Sequence, residues 1–192
     1  YDLQTIDLDS DNLVSQAYSK AVTMGSDLMH DENKSPDFLV WAQRDKNGAA
    51  LQRVQIVKGW IDMGSGTPYE KVFDVACSDG MNVDPETNRC PDNGARVNIN
   101  DCSISQDVGA AELKSYWNDP EFDPNVKSFY YVRVLENPSC RWSTWDAVKA
   151  GFKPREDIHD TIQERAWSSP IWYIPAVNEY SVIPLGGTVA ID

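Results

Sequence analysis

Two alternating segments joined by a short turn leave this chain few folds to choose from. In LQRVQIVKGWID (51–62), Val54 and Ile56 alternate with Arg53 and Gln55, the two-residue period of a half-buried strand. GSGTP then turns the chain. YEKVFDVAC (69–77) returns with Val72, Asp74 and Ala76 on one side and Phe73 and Val75 on the other, which predicts a hairpin. SFYYVRVLE (128–136), rich in β-branched and aromatic residues, is the strongest strand in the sequence. A core built on these three segments has to be a sheet, closed by a second layer.

The remaining signals are short. PDFLVWAQ (36–43) predicts a strand with Phe38, Val40 and Ala42 on one face, followed by an Asn47-Gly48 turn. ARVNI (95–99) predicts a brief strand, and SSPIWYIP (168–175) a last one, its prolines marking an edge position or a strand start. Three helices are expected. SDNLVSQAYSKAV carries Ser10 or Asp11 as its cap, and GAAELKSYW (109–117) has Leu113 and Trp117 at i, i+4. STWDAVKAG (143–151) is capped by Ser143 or Thr144 and stopped by Gly151. Several short strands between turns, with brief helices and long loops, indicate a mainly β fold, an immunoglobulin-like β-sandwich. Residues 1–35 read as an N-terminal connecting segment, 36–175 as the sandwich domain and 176–192 as a C-terminal tail.

Charge and cysteines bound the function. The 192 residues carry 17 Lys and Arg against 30 Asp and Glu, a net charge of −13. That field repels phosphate backbones, so nucleic acid is excluded as a partner. No apolar run is long enough for a membrane span. No signal peptide opens the chain, and Tyr1 in place of methionine reads as a piece of something longer. Cys77, Cys90, Cys102 and Cys140 lie in a polar region without a C-x-x-C pair or a neighbouring histidine. This points to two disulfides rather than a zinc site, and hence to an exported, periplasmic or secreted protein. Of the three possible pairings we favour Cys77–Cys90, which closes a short loop, with Cys102–Cys140.

Catalytic signatures are few. His30 and His159 stand far apart in polar contexts, without the clustering that a metal site needs. Asp7, Asp9 and Asp11 have the opening spacing of a calcium loop, but Asn12 and Tyr18 occupy its glycine and bidentate-acid positions. No nucleophile elbow or phosphate loop is present. Two segments stand out, ENPSCRWSTW (136–145) and QERAWSSPIWY (163–173), each joining Arg, Trp and a nearby Glu. Tryptophan beside arginine stacks a sugar or clamps an anion. Composition alone favours the plainer reading, in which the aromatics fill the core while the charges pair at its rim. Substrate-contacting candidates are therefore Glu164, Arg165, Trp167, Arg141 and Trp142, with no catalytic and no metal-binding residue assigned.

LQRVQIVKGWID, EKVFDVACSDG, CPDNGARV, GAAEL, WNDPEFDP, FYYVRVLENPSCRWSTWDA and TIQERAWSSPIWY together resemble the C-terminal part of a bacterial family catalogued as domain of unknown function 3604, and VTMGSDL resembles the segment leading into it. Full-length members look related to metal-dependent hydrolases of the polymerase-and-histidinol-phosphatase superfamily, whose D-L-H-x-H-T type motif is absent here. The resemblance implies a β-sandwich portion that follows a catalytic barrel. In it VQIVKG matches a middle strand, YYVRV the penultimate and SPIWY the last, with 137–167 a long insertion between neighbouring strands. It also implies a divalent metal in the catalytic domain that this chain lacks, no cofactor in the chain itself, and the rest of its own protein as partner. On that basis the expected function is a non-catalytic accessory portion lending substrate contacts. The alternative is a glycan- or protein-binding module that uses exposed tryptophans.

Overall fold

The computed structural model describes residues 3–29, 31 and 34–176. Along the chain lie α1 (Leu13–Lys20), β1 (Asp27–Met29), β2 (Asp37–Gln43), β3 (Leu51–Ile61), β4 (Pro68–Cys77), β5 (Val97–Asn98), β6 (Ser103–Ile104) and β7 (Glu112–Asn118). They are followed by β8 (Ser128–Glu136), β9 (Ser139–Cys140), α2 (Trp142–Ala150), β10 (Thr161–Ile162), β11 (Arg165–Trp167) and β12 (Ile171–Ile174). The protein is mainly β, and its two larger layers form a β-sandwich.

One layer is a six-stranded sheet in the order β1-β12-β8-β3-β4, with β11 also paired to β8. The predicted hairpin is its β3–β4 pair. The second layer is the two-stranded β2–β7 sheet, paired over the full length of both strands. Between the layers lie Phe38 and Val40 from β2, Val54 and Ile56 from β3, Leu113 from β7, Tyr130 from β8 and Tyr173 from β12, all buried. Phe38, Trp117 and Tyr130 meet in tilted contacts with ring centroids 4.7–6.5 Å apart, the geometry that aromatic quadrupoles favour.

Where the structure departs from the sequence reading, the causes are local. Residues 109–117 do not form a helix: Glu112–Asn118 is strand β7. Leu113 and Trp117 are also an even number of residues apart, so one spacing serves a helix face or a strand face, and pairing to β2 decides between them. α1 starts after Asn12 rather than after Ser10 or Asp11, and α2 starts after Arg141, so neither Ser143 nor Thr144 caps it. Gly151 ends α2 as expected, in the left-handed region at φ 72°. β12 begins just past Pro170 and lies between β1 and β8, so the proline marks a strand start and not an edge. In β4 the simple alternation breaks at Val75. Val54 opposes Ala76 and Gln55 opposes Asp74, so Val75 is an unpaired extra residue. This bulge sends Ala76 to the core face and leaves Asp74 on the other.

Residues ahead of β2 are built into the same body. Leu3, Ile6 and Leu13 form a small buried cluster with Leu39 and Tyr116 packed against it. β1 joins the main sheet, parallel to β12. Residues 177–192, most of the proposed tail, lie outside the described residues, as does His30.

Candidate functional site

The second layer is only two strands wide, so it cannot cover a six-stranded sheet. The uncovered inner face, near β8 and β11, forms an apolar groove of about 650 Å³ with α1 on its far side. Val132, Val134, Ala166 and Ile171 line the sheet side, and Leu13, Ala17 and Tyr18 the helix side. Glu136 and Glu164 both line it as well. Burial raises the Glu136 pKa, and the Glu164 carboxylate adds to the rise.

A second cavity, of about 640 Å³ and mostly polar, shares Arg165 of β11 with the groove. Its walls come from β3 (Gln52, Arg53), the loop before β5 (Asp92, Arg96), the turn after β9 (Arg141) and the segment into β11 (Gln163, Arg165). Three long-range features assemble it. Arg53 and Arg165 each oppose Leu135 of β8, one from either side. The Cys102–Cys140 disulfide ties the loop region to β9, next to Arg141. Gln163 Nε2 donates to Gln52 Oε1 at 2.9 Å and to the Glu136 carbonyl at 3.0 Å, locking the approach to β11 onto β3 and β8.

Both favoured disulfides are present, and all four cysteines are paired. The Cys77–Cys90 bond holds the loop after β4 over the buried Asp74. That carboxylate accepts from Gln55 Nε2 (2.6 Å), the Cys90 backbone N–H (2.7 Å), and one nitrogen each of Arg53 and Arg89 (both 3.4 Å). Such pairing keeps a fully enclosed charge satisfied. Asp79 holds the next stretch, accepting from the Gly109 N–H (2.8 Å), Ser78 Oγ (2.6 Å) and Asn93 Nδ2 (3.3 Å). Burial works against its charge, but these donors outweigh it and lower its pKa.

The five sequence candidates divide between the two hollows. Arg141 and Arg165 line the polar cavity, while Glu164, Arg165 and Trp167 line the apolar groove. Trp142, at the start of α2, lines neither and is 74% exposed. Trp167 is 60% exposed and Trp145 39%, so these three tryptophans do not fill the core. Sequence reasoning missed Arg53 and Arg96. Arg53 had one available signal, its place on the face of the strand opposite Val54 and Ile56; Arg96 had none. Among the described residues no group of three or more His, Cys, Asp or Glu side chains is placed to hold a metal ion.

The fold and cavities define a disulfide-stapled β-sandwich protein with an arginine-lined hollow. The chain belongs to the family described as "protein of unknown function (DUF3604)", which matches residues 1–175. No curated protein and no solved structure matches it.

Proposed function

We propose that this chain is the immunoglobulin-like accessory portion of a larger, exported metallohydrolase-like protein, and that it lends substrate contacts while carrying no catalysis of its own. The observation that supports the reading is the meeting of Arg141 and Arg165, from opposite ends of the insertion 137–167, in one polar cavity. Glu164 and Trp167 line the neighbouring apolar groove. Two disulfides suit an oxidising compartment, periplasmic or extracellular. The divalent metal of this reading belongs to the catalytic portion, with which this chain partners. Among the described residues no cluster of three or more His, Cys, Asp or Glu side chains is placed to hold one.

Two measurements test the proposal. The 192-residue chain, screened against esters, phosphomonoesters and glycosides with added divalent metals, is expected to give no turnover; metal-dependent turnover would sink the reading. In the full-length protein, Arg165→Ala is expected to raise KM at least tenfold on whichever substrate the same screen of the full-length protein identifies. An unchanged KM and kcat would remove the accessory role.

The exposure of Trp142 and Trp167 favours a second reading, a glycan- or protein-binding module. Binding of oligosaccharides to the chain that is lost in a Trp142→Ala/Trp167→Ala variant, with Arg165→Ala unaffected, would favour it over the first.

A further inference from the structure

Four of the chain's eight arginines, Arg53, Arg96, Arg141 and Arg165, line the polar cavity, although acids outnumber bases overall. Two of the four have a carboxylate partner. Arg53 Nη1 lies 3.4 Å from Asp74, and Arg96 Nη2 lies 3.3 Å from Asp92, which shares the cavity wall. The other two have none among the described residues. The Arg141 side chain donates only through Nε, to the His159 carbonyl at 3.1 Å, and the Arg165 side chain makes no hydrogen bond or ion pair among the described residues. The cavity wall thus carries two cations without a counter-charge among the described residues. Bringing guanidinium groups together costs Coulomb energy. An anion in the cavity removes that cost.

The donor set also says what kind of anion. Each guanidinium offers up to five N–H groups in a flat fork that takes two oxygens at once. A carboxylate has two oxygens, which two such forks satisfy, and four forks exceed what it can accept. A tetrahedral group presents three or four oxygens in different directions, and the four arginines come from four separate chain segments. With Arg53 and Arg96 each set against one carboxylate, the surplus is two positive charges. A volume of about 640 Å³ leaves room for more than a bare ion. We infer that the cavity binds a tetrahedral oxyanion of two negative charges, carried by a small polar molecule, among Arg53, Arg96, Arg141 and Arg165. This deepens the accessory reading and rests on it for the statement that the molecule is the substrate.

Titration calorimetry of the 192-residue chain at low ionic strength, with inorganic sulfate, inorganic phosphate, glucose 6-phosphate and citrate as probes, tests the assignment. Saturable binding of phosphate and sulfate is expected, with glucose 6-phosphate tighter and citrate at least tenfold weaker. Arg141→Ala/Arg165→Ala should weaken glucose 6-phosphate at least tenfold while keeping the wild-type melting temperature. Arg155→Ala, whose guanidinium pairs with Asp157 at the surface, should leave it unchanged. If the double variant fails to fold, Arg165→Gln alone carries the comparison. No saturable binding, equal binding by the arginine variant, or citrate binding as tightly as phosphate would each overturn the inference. Anion binding by the chain alongside an unaltered KM in full-length Arg165→Ala would leave this site standing and remove the accessory reading. The reverse pair of results would do the opposite.

Discussion

Lys58 Nζ donates to Asp119 Oδ2 at 2.6 Å between the two layers, where the side chains are 6% and 0% exposed. The ammonium also donates to the Glu121 carbonyl (2.7 Å), while Asp119 takes the Tyr130 hydroxyl (2.7 Å) and the Glu121 N–H (2.9 Å). Burial and the Asp119 charge raise the Tyr130 pKa, so the hydroxyl stays protonated and keeps donating. This group seals one end of the core with satisfied polar atoms.

Breaking the pair from one side strands a charge. Lys58→Met is expected to lower stability by about 3–5 kcal/mol, because Asp119 stays buried without its counter-ion. Urea unfolding followed by tryptophan fluorescence measures it. A loss below about 1 kcal/mol would mean that the pair contributes little beyond its hydrogen bonds.

Gly59 and Phe129 are a matched pair across β3 and β8. A Cβ at position 59 would stand 2.2 Å from Phe129 Cζ. Gly59→Ala should therefore cost about 1–3 kcal/mol through overpacking. Gly59→Ala/Phe129→Ala should cost less than the sum of the single changes, a coupling that a double-mutant cycle reads directly.

The disulfides should differ in their effect. Cys102–Cys140 spans 38 residues and Cys77–Cys90 spans 13. Loop-closure entropy puts them at about 4 and about 3 kcal/mol. Cys102→Ala/Cys140→Ala is expected to lower the melting temperature more than Cys77→Ala/Cys90→Ala. Thiol titration of the denatured, unreduced protein should find no free sulfhydryl.

Two carboxylates give opposite pH dependences. The Asp79 pKa is lowered below its ordinary 3.8, so its stabilisation is complete above that value and is lost as pH falls through the folded pKa. Glu136 is raised above 4.5, so the stability it contributes is present below that value and is lost as pH rises through the folded pKa. Asp79→Asn should flatten the acid limb of a stability–pH curve. Glu136→Gln should leave stability near pH 4 unchanged and raise it at pH 7.

The β3–β4 hairpin was legible because Val54 and Ile56 alternate with polar residues over a long segment, and β8 because its composition admits little else. β7 was not, since the spacing of Leu113 and Trp117 satisfies two periods. β1 lies in a polar stretch and owes its existence to β12, a partner no local pattern announces. For the site, Arg141 and Arg165 were visible through neighbouring tryptophans. Arg53 and Arg96 reach the cavity through strand pairing and the path of the disulfide-held loop. Pairing of that kind is tertiary, and local sequence carries no record of it.

The β1–β12 pairing sets Leu28 beside Tyr173, residues separated by most of the described chain. Contacts that far apart fold slowly, because closing so long a loop precedes any return from the contact. As the chain emerges from its N-terminal end, β8 waits without β11 and β12, and its free edge and the apolar groove beside it stay open to other strands. Among the described residues the last strand to be made, β12, is therefore the one that covers this edge against aggregation.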